Sequence, residues 1–111
     1  MAAVSKYELK ARHPLLAYPS VLFNQQRMVI MLELYQAGAL EFVQLQRDLD
    51  IGDGALATHI KALLKARLIV RQKEEVDGRS RTVYLITGDG MEMIRRLFKT
   101  LSDEERRVAI G

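Results

Sequence analysis

Seven basic side chains fall within residues 54–83: Lys61, Lys65, Arg67, Arg71, Lys73, Arg79 and Arg81. Only Glu74, Glu75 and Asp77 oppose them there. Acids and bases nearly cancel in the flanking stretches, so the net charge of +3 is concentrated in this one. A local positive excess attracts polyanions, phosphate backbones above all, although charge clustering alone also suits a merely solvated face. Little else in the chain could do chemistry. There is no cysteine, and His13 and His59 are the only histidines. Disulfides and thiolate chemistry are excluded, and a histidine metal site has too few ligands. No nucleotide-binding glycine loop and no nucleophile–base constellation occurs, so neither an enzyme nor a cofactor is expected. Asp103, Glu104 and Glu105 read as helix-cap charges. His59 borders an apolar helical face and is expected to pack there, donating one hydrogen bond.

These cations need elements to hold them. Leu56, Ile60, Leu63 and Leu64 recur at the spacing of one helical face, with Thr58, Lys61, Ala62 and Lys65 opposite. The spacing predicts a helix from Asp53 to Ala66, entered through a turn over Asp50 to Gly54. Leu68 to Glu75 alternates and is β-branched, Asp77-Gly78 is a hairpin turn signal, and Thr82 to Thr87 is the expected return strand. Arg79 and Arg81 then flank the hairpin tip. A turn, a helix with small and basic residues outward, and a hairpin with arginines at its tip make up a winged helix-turn-helix, an α+β fold.

The remainder supplies the frame. At 111 residues the chain is one domain with enough apolar content to bury a core. Ser5 to Glu8 fits a capping box opening a short helix to about Arg12. Pro14 can start a turn that Pro19 breaks. Residues 1–19 thus form an N-terminal extension, and its Tyr7, Leu9, Leu15, Leu16 and Tyr18 are apolar enough to pack on something. Asn24 caps a helix from Gln25 to Ala37, ended by Gly38 and apolar around most of its circumference. Leu40 to Phe42 is a short extended piece that could pair with the hairpin, and Val43 to Leu49 a second helix. Thr87 caps a helix from Asp89 or Gly90 to about Leu101, with Met91, Ile94, Leu97, Phe98 and Leu101 in a stripe. Ser102 to Glu105 repeats the capping-box pattern and predicts a separate final helix over 102–111. The longest apolar run, Met28 to Leu32, is far too short to span a bilayer, and no signal-peptide core is present.

At DGALATHIKALLKARLIV, followed by DGRSRTVYLITGDG, the chain resembles the small winged-helix transcriptional regulators of the MarR and ArsR groups. The helix pattern is met by Asp53, Gly54, Leu56, Ala57, His59, Ile60, Lys61, Leu63, Ala66, Leu68 and Ile69. The wing pattern is met by Gly78, Arg79, Arg81, Thr82, Tyr84, Thr87 and Gly90. The resemblance covers residues 20–101. Ala55 and Ala57 stand where polar residues are usual, and Arg67 where a helix-ending glycine is usual. The resemblance implies a transcriptional regulator that binds double-stranded DNA. Base readout then falls to Thr58 and Lys61 in the major groove, with Lys65 beside them and a methyl contact from Ala55. Arg79 and Arg81 are expected at flanking phosphates or the minor groove. Arg71 and Lys73 point to one side of their strand, where they either extend this basic surface or pair with Glu75 and Asp77.

A winged helix needs only about residues 20–88, so the apolar N-terminal segment and the last helical stripe are in excess. They predict a homodimer, which would set two recognition helices in successive grooves. A cytoplasmic location without membrane contact follows. Two rival readings stay open. The two alanines suit a protein-interaction module of a transcription or replication assembly. An apolar cleft near Tyr7, Tyr18 or Met93 suits a small-molecule effector.

Overall fold

The computed structural model describes residues 13–110; the expected Ser5–Glu8 capping box and its short helix, with Tyr7, lie outside them. Two short 3₁₀ turns, Pro14–Ala17 and Ser20–Leu22, lead into the domain. They are followed by α1 (Gln25–Ala37), β1 (Ala39–Glu41), α2 (Phe42–Leu49), α3 (Asp53–Lys65), β2 (Ile69–Val76), β3 (Arg79–Ile86) and α4 (Gly88–Ile110). This is a winged helix-turn-helix. Its three-stranded antiparallel sheet runs in the order β1-β3-β2.

The sequence signals explain most boundaries. The Asn24 side chain accepts the Arg27 amide at 3.0 Å and starts α1; Gly38, at φ +86, ends it. Ile30, Met31 and Leu34 of α1 are fully buried, as are Leu45 of α2 and Leu56 and Leu63 of α3. With Leu22, Ile60, Leu68, Ile69, Tyr84 and Ile94 they form one core. A fully buried leucine contributes about 2–5 kcal/mol against truncation to alanine, so this cluster dominates stability.

Most boundaries shift by a residue or two from expectation, and three differences have an identifiable cause. Helix α2 begins at Phe42, because Glu41 is its cap and exchanges the two hydrogen bonds of a capping box with Gln44. Strand β3 begins at Arg79 rather than Thr82. Asp77 and Gly78 both have positive φ, +52 and +75, making a two-residue turn after which pairing resumes at once. The largest difference is at the C-terminal end. Residues 102–110 are no separate helix but continue α4. Nothing between Phe98 and Glu105 breaks a helix, and propagation costs less than a new nucleus. Ser102 therefore caps nothing, and Asp103 pairs backward with Lys99 at 2.8 Å.

The turn from α3 into the wing has a cost. Arg67 takes φ +60, with its amide bonded to the Leu64 carbonyl and the Leu68 amide to the Leu63 carbonyl. This is a glycine-type helix ending built on an arginine. Gly90 is required where it stands: a Cβ there would overlap the Leu68 carbonyl oxygen and Ile86.

Candidate nucleic-acid interface

Helix α3 turns its leucine face to the core and leaves Ala55, Thr58, Lys61 and Lys65 exposed on the other side. The expected recognition surface is thus brought together on one face. Thr58 is not wholly available. Its hydroxyl donates to the Gly54 carbonyl at 2.9 Å, which leaves a methyl group and lone pairs to meet a base edge. The turn before α3 is fastened by a hydrogen bond from the Gln46 amide to the Asp53 carboxylate.

Two side chains of α1 hold α3 in place. Arg27 Nε–H donates to His59 Nδ1 at 3.1 Å, and His59 Nε2–H donates to Gln26 Oε1 at 2.7 Å. This pair of bonds sets the tautomer with its proton on Nε2. Arg27 also reaches the Val21 carbonyl at 3.3 Å. Burial, then the charge of Arg27, lowers the His59 pKa below 6.5. His59 therefore packs at the edge of the core, and makes one bond more than expected.

The wing separates its cations. Register pairs Glu74 with Arg81 and Val76 with Arg79 on one face, and Arg71 with Tyr84 and Lys73 with Thr82 on the other. Arg81 is committed on its face: it bridges Glu41 of β1 at 3.2 Å and Glu74 of β2 at 3.1 Å. The sequence places Arg81 beside the hairpin tip but does not show this bridge, because one of the partners lies on a strand forty residues away. Arg79, Arg71 and Lys73 are exposed and make no ion pair among the described residues. Arg71 and Lys73, expected on one side of their strand, line one hollow of about 510 Å³ with Thr82, Tyr84 and Phe42, which were not singled out from the sequence as site residues. Strand alternation and hairpin register were the signals that could have added Thr82 and Tyr84.

A second hollow, about 610 Å³, lies between α4 and the Pro14–Ala17 turn. Tyr18, Met93, Ala66, Arg96 and Thr100 are among its walls, and Tyr18 Oη lies 2.9 Å from Thr100 Oγ1. Beyond it α4 leaves the core, with Phe98 and Leu101 each 48% exposed and Val108 77% exposed. Among the described residues no helix is long and apolar enough to cross a membrane.

An outward polar face on the second helix of a helix-turn-helix, beside a basic hairpin, defines a winged-helix DNA-binding protein. Residues 26–104 match the family described as the winged helix DNA-binding domain, and the chain belongs to that family. Among solved structures it is similar to a transcriptional regulator homologue from Pyrococcus horikoshii OT3. The identity is 33%, the cover 83% of this chain and 91% of that one, and the TM-score 0.72. It shares its fold with a MarR-family transcriptional regulator from Enterococcus faecalis V583, at 21% identity, covering 98% and 93% of the two chains with TM-score 0.72. Reduced AbfR bound to DNA is a further fold relative, at 18% identity, covering 76% of this chain and 61% of that one with TM-score 0.62. A search of curated proteins gave no match. The chain is a winged-helix transcriptional regulator with a MarR-like fold.

Proposed function

We propose that two copies of this chain bind an operator duplex together. Each sets α3 into the major groove, with Ala55, Thr58 and Lys61 at base edges and Lys65 at the backbone. The wing brings Arg71 and Arg79 to flanking phosphates. The observation that carries this reading is the exposed face of α3, built of small and cationic side chains, beside a wing on which Arg71, Lys73 and Arg79 have no ion-pair partners among the described residues. That reduced AbfR, a fold relative, is bound to DNA supports it. Exposed Phe98, Leu101 and Val108, on the part of α4 that leaves the core, support pairing of the two copies through this helix. The protein acts by binding rather than catalysis and works in the cytoplasm, where its DNA is. The hollow walled by Tyr18 and Met93 is where a small, mainly apolar effector would be held.

Fluorescence anisotropy tests the reading, on random-sequence duplex and on DNA upstream of the gene, each across a salt series. Six to ten phosphate contacts weaken binding by about 10³–10⁵ between roughly 50 and 200 mM salt. Lys61→Ala should weaken binding to upstream DNA more than to random duplex. Absence of binding to either at low salt would refute the reading and favour a protein-interaction module.

A further inference from the structure

The two faces of the wing are electrostatically unlike. On the outer one, Arg81 bridges Glu41 and Glu74, a triad with one negative charge left over. The inner one begins as core: Ile69 and Tyr84 are buried with Leu56, Ile60 and Leu63 of α3. Alternation keeps Arg71 and Lys73 on this inner face. At residue 71 the side chains turned toward the helix-turn-helix thus change from apolar to cationic. A cation turned toward the body of a protein ordinarily meets a carboxylate. Neither Arg71 nor Lys73 has an ion pair among the described residues. Glu75, on the same face, stands opposite Ser80, one step nearer the tip, and is not paired with Lys73. Opposite the two cations stand Thr82, half-buried, and Tyr84, 7% exposed. No hydrogen bond joins either hydroxyl to another side chain among the described residues. Phe42, at the start of α2, forms the remaining wall of the hollow.

We propose that this hollow is an anion site that seats one backbone phosphate of the bound duplex. Arg71 and Lys73 supply the charge, the Thr82 and Tyr84 hydroxyls donate hydrogen bonds, and Phe42 excludes water from one side. The inference rests on the DNA-binding reading and adds to it. It moves a wing contact from the hairpin tip to the inner root, between wing and α2. It also gives Arg81 a positioning role, bracing β1 and β2 about β3 rather than touching DNA. Two cations and two hydroxyl donors around a space open on one side match a phosphodiester, which brings one negative charge and two acceptor oxygens.

The test compares the full chain with the double variant Arg71→Gln/Lys73→Gln, with Tyr84→Phe and with Arg81→Gln, by anisotropy on duplex DNA over a salt series. The double variant should weaken binding tenfold or more and lower the salt slope by about one unit per protomer. Tyr84→Phe removes a neutral donor, so it should weaken binding several-fold with the slope unchanged. Arg81→Gln should leave the slope unchanged. Melting temperatures within a few degrees of the parent would show that the variants fold. If the parent binds DNA and the double variant keeps its slope, or Arg81→Gln lowers the slope as much, the phosphate site is overturned while DNA binding stands. If the parent does not bind DNA, the underlying reading fails first. Melts in inorganic phosphate against chloride at equal ionic strength separate the two sources of anion. A phosphate-dependent rise that the double variant lacks, together with an unchanged DNA slope, would assign the hollow to a free anion and overturn the proposal.

Discussion

Acid should loosen the contact between α1 and α3, and His59 should be the cause. Neutral His59 accepts from Arg27 at Nδ1 and donates to Gln26 from Nε2. A second proton goes to Nδ1. The acceptor is then lost, and an imidazolium faces a guanidinium at the 3.1 Å now spanned by a hydrogen bond. Burial and, after it, Arg27 accordingly hold the folded pKa below 6.5. Because the unfolded chain binds this proton more readily than the folded one, stability from this group is complete above about pH 6.5. It is lost as the pH falls through the lowered folded pKa. Removing the ring by His59→Ala deletes two hydrogen bonds, each with a net worth of about 0.5–1.5 kcal/mol. His59 and Arg27 are both only half-buried, so solvation recovers part of the loss. The pair together is then worth about 1–2 kcal/mol, or about 5–10 °C in melting temperature for a domain of this size. The assay is urea unfolding followed by circular dichroism at about pH 8 and about pH 5, with His13→Asn in both chains so that only His59 distinguishes them. The stability gap between parent and His59→Ala should be largest at the higher pH and shrink at the lower one. An equal gap at both values, or no gap at the higher, would refute the argument.

Two more outcomes are expected. Arg67→Gly should raise the melting temperature by a few degrees, since a non-glycine residue in the left-handed region costs about 1–2 kcal/mol; a fall would mean that the arginine side chain contributes more than its backbone loses. Phe98→Glu with Leu101→Glu should halve the mass seen by light scattering at micromolar concentration while leaving the helical circular dichroism intact; an unchanged mass would remove this stretch of α4 from the dimer interface.

What could be read from the sequence was local. Helix α1 agrees at both ends with expectation because Asn24 and Gly38 are strong punctuation, and α3 agrees to within one residue because its leucines repeat without interruption. The Asp77-Gly78 turn is equally plain, and because it has only two residues it leaves Arg79 already paired with Val76, three residues ahead of the expected strand start at Thr82. The C-terminal capping-box pattern misled because it has the same residues whether a helix starts there or runs through. Only the absence of a breaker upstream distinguishes the cases. On the surface, Thr58, Lys61 and Lys65 could be grouped by helical period. The commitment of Arg81 could not, since Glu41 reaches it only once β1 has joined the sheet. The engagement of His59 by Arg27 is likewise a contact between distant helices, invisible to any spacing rule.

The junction behind the wing limits how a signal could reach the recognition helix. Thr87 is bound there on several sides. Its hydroxyl oxygen accepts the Gly90 amide at 2.9 Å and lies 2.8 Å from the Arg67 carbonyl and 3.1 Å from that of Leu68. The Thr87 amide donates to the Leu68 carbonyl at 3.0 Å, and the Leu68 amide to the Leu63 carbonyl at 3.1 Å. The end of α3, the root of both long strands and the first turn of α4 thus share one hydrogen-bonded knot, with Gly90 pressed against it. Such a joint resists hinging, because every swing of α4 breaks bonds that also close α3. In a dimer joined through α4, the spacing of the two recognition helices is then governed by how the α4 helices cross and by bending beyond Thr100, where the core ends. The hollow beside Tyr18 lies between the knot and this point, with Ala66 from the end of α3 and Met93, Arg96 and Thr100 from α4 in its walls. An effector seated in it would press on α4 between the knot and Thr100, and would shift the half-site spacing through the course of the helix beyond the core rather than by swinging α4 at its root.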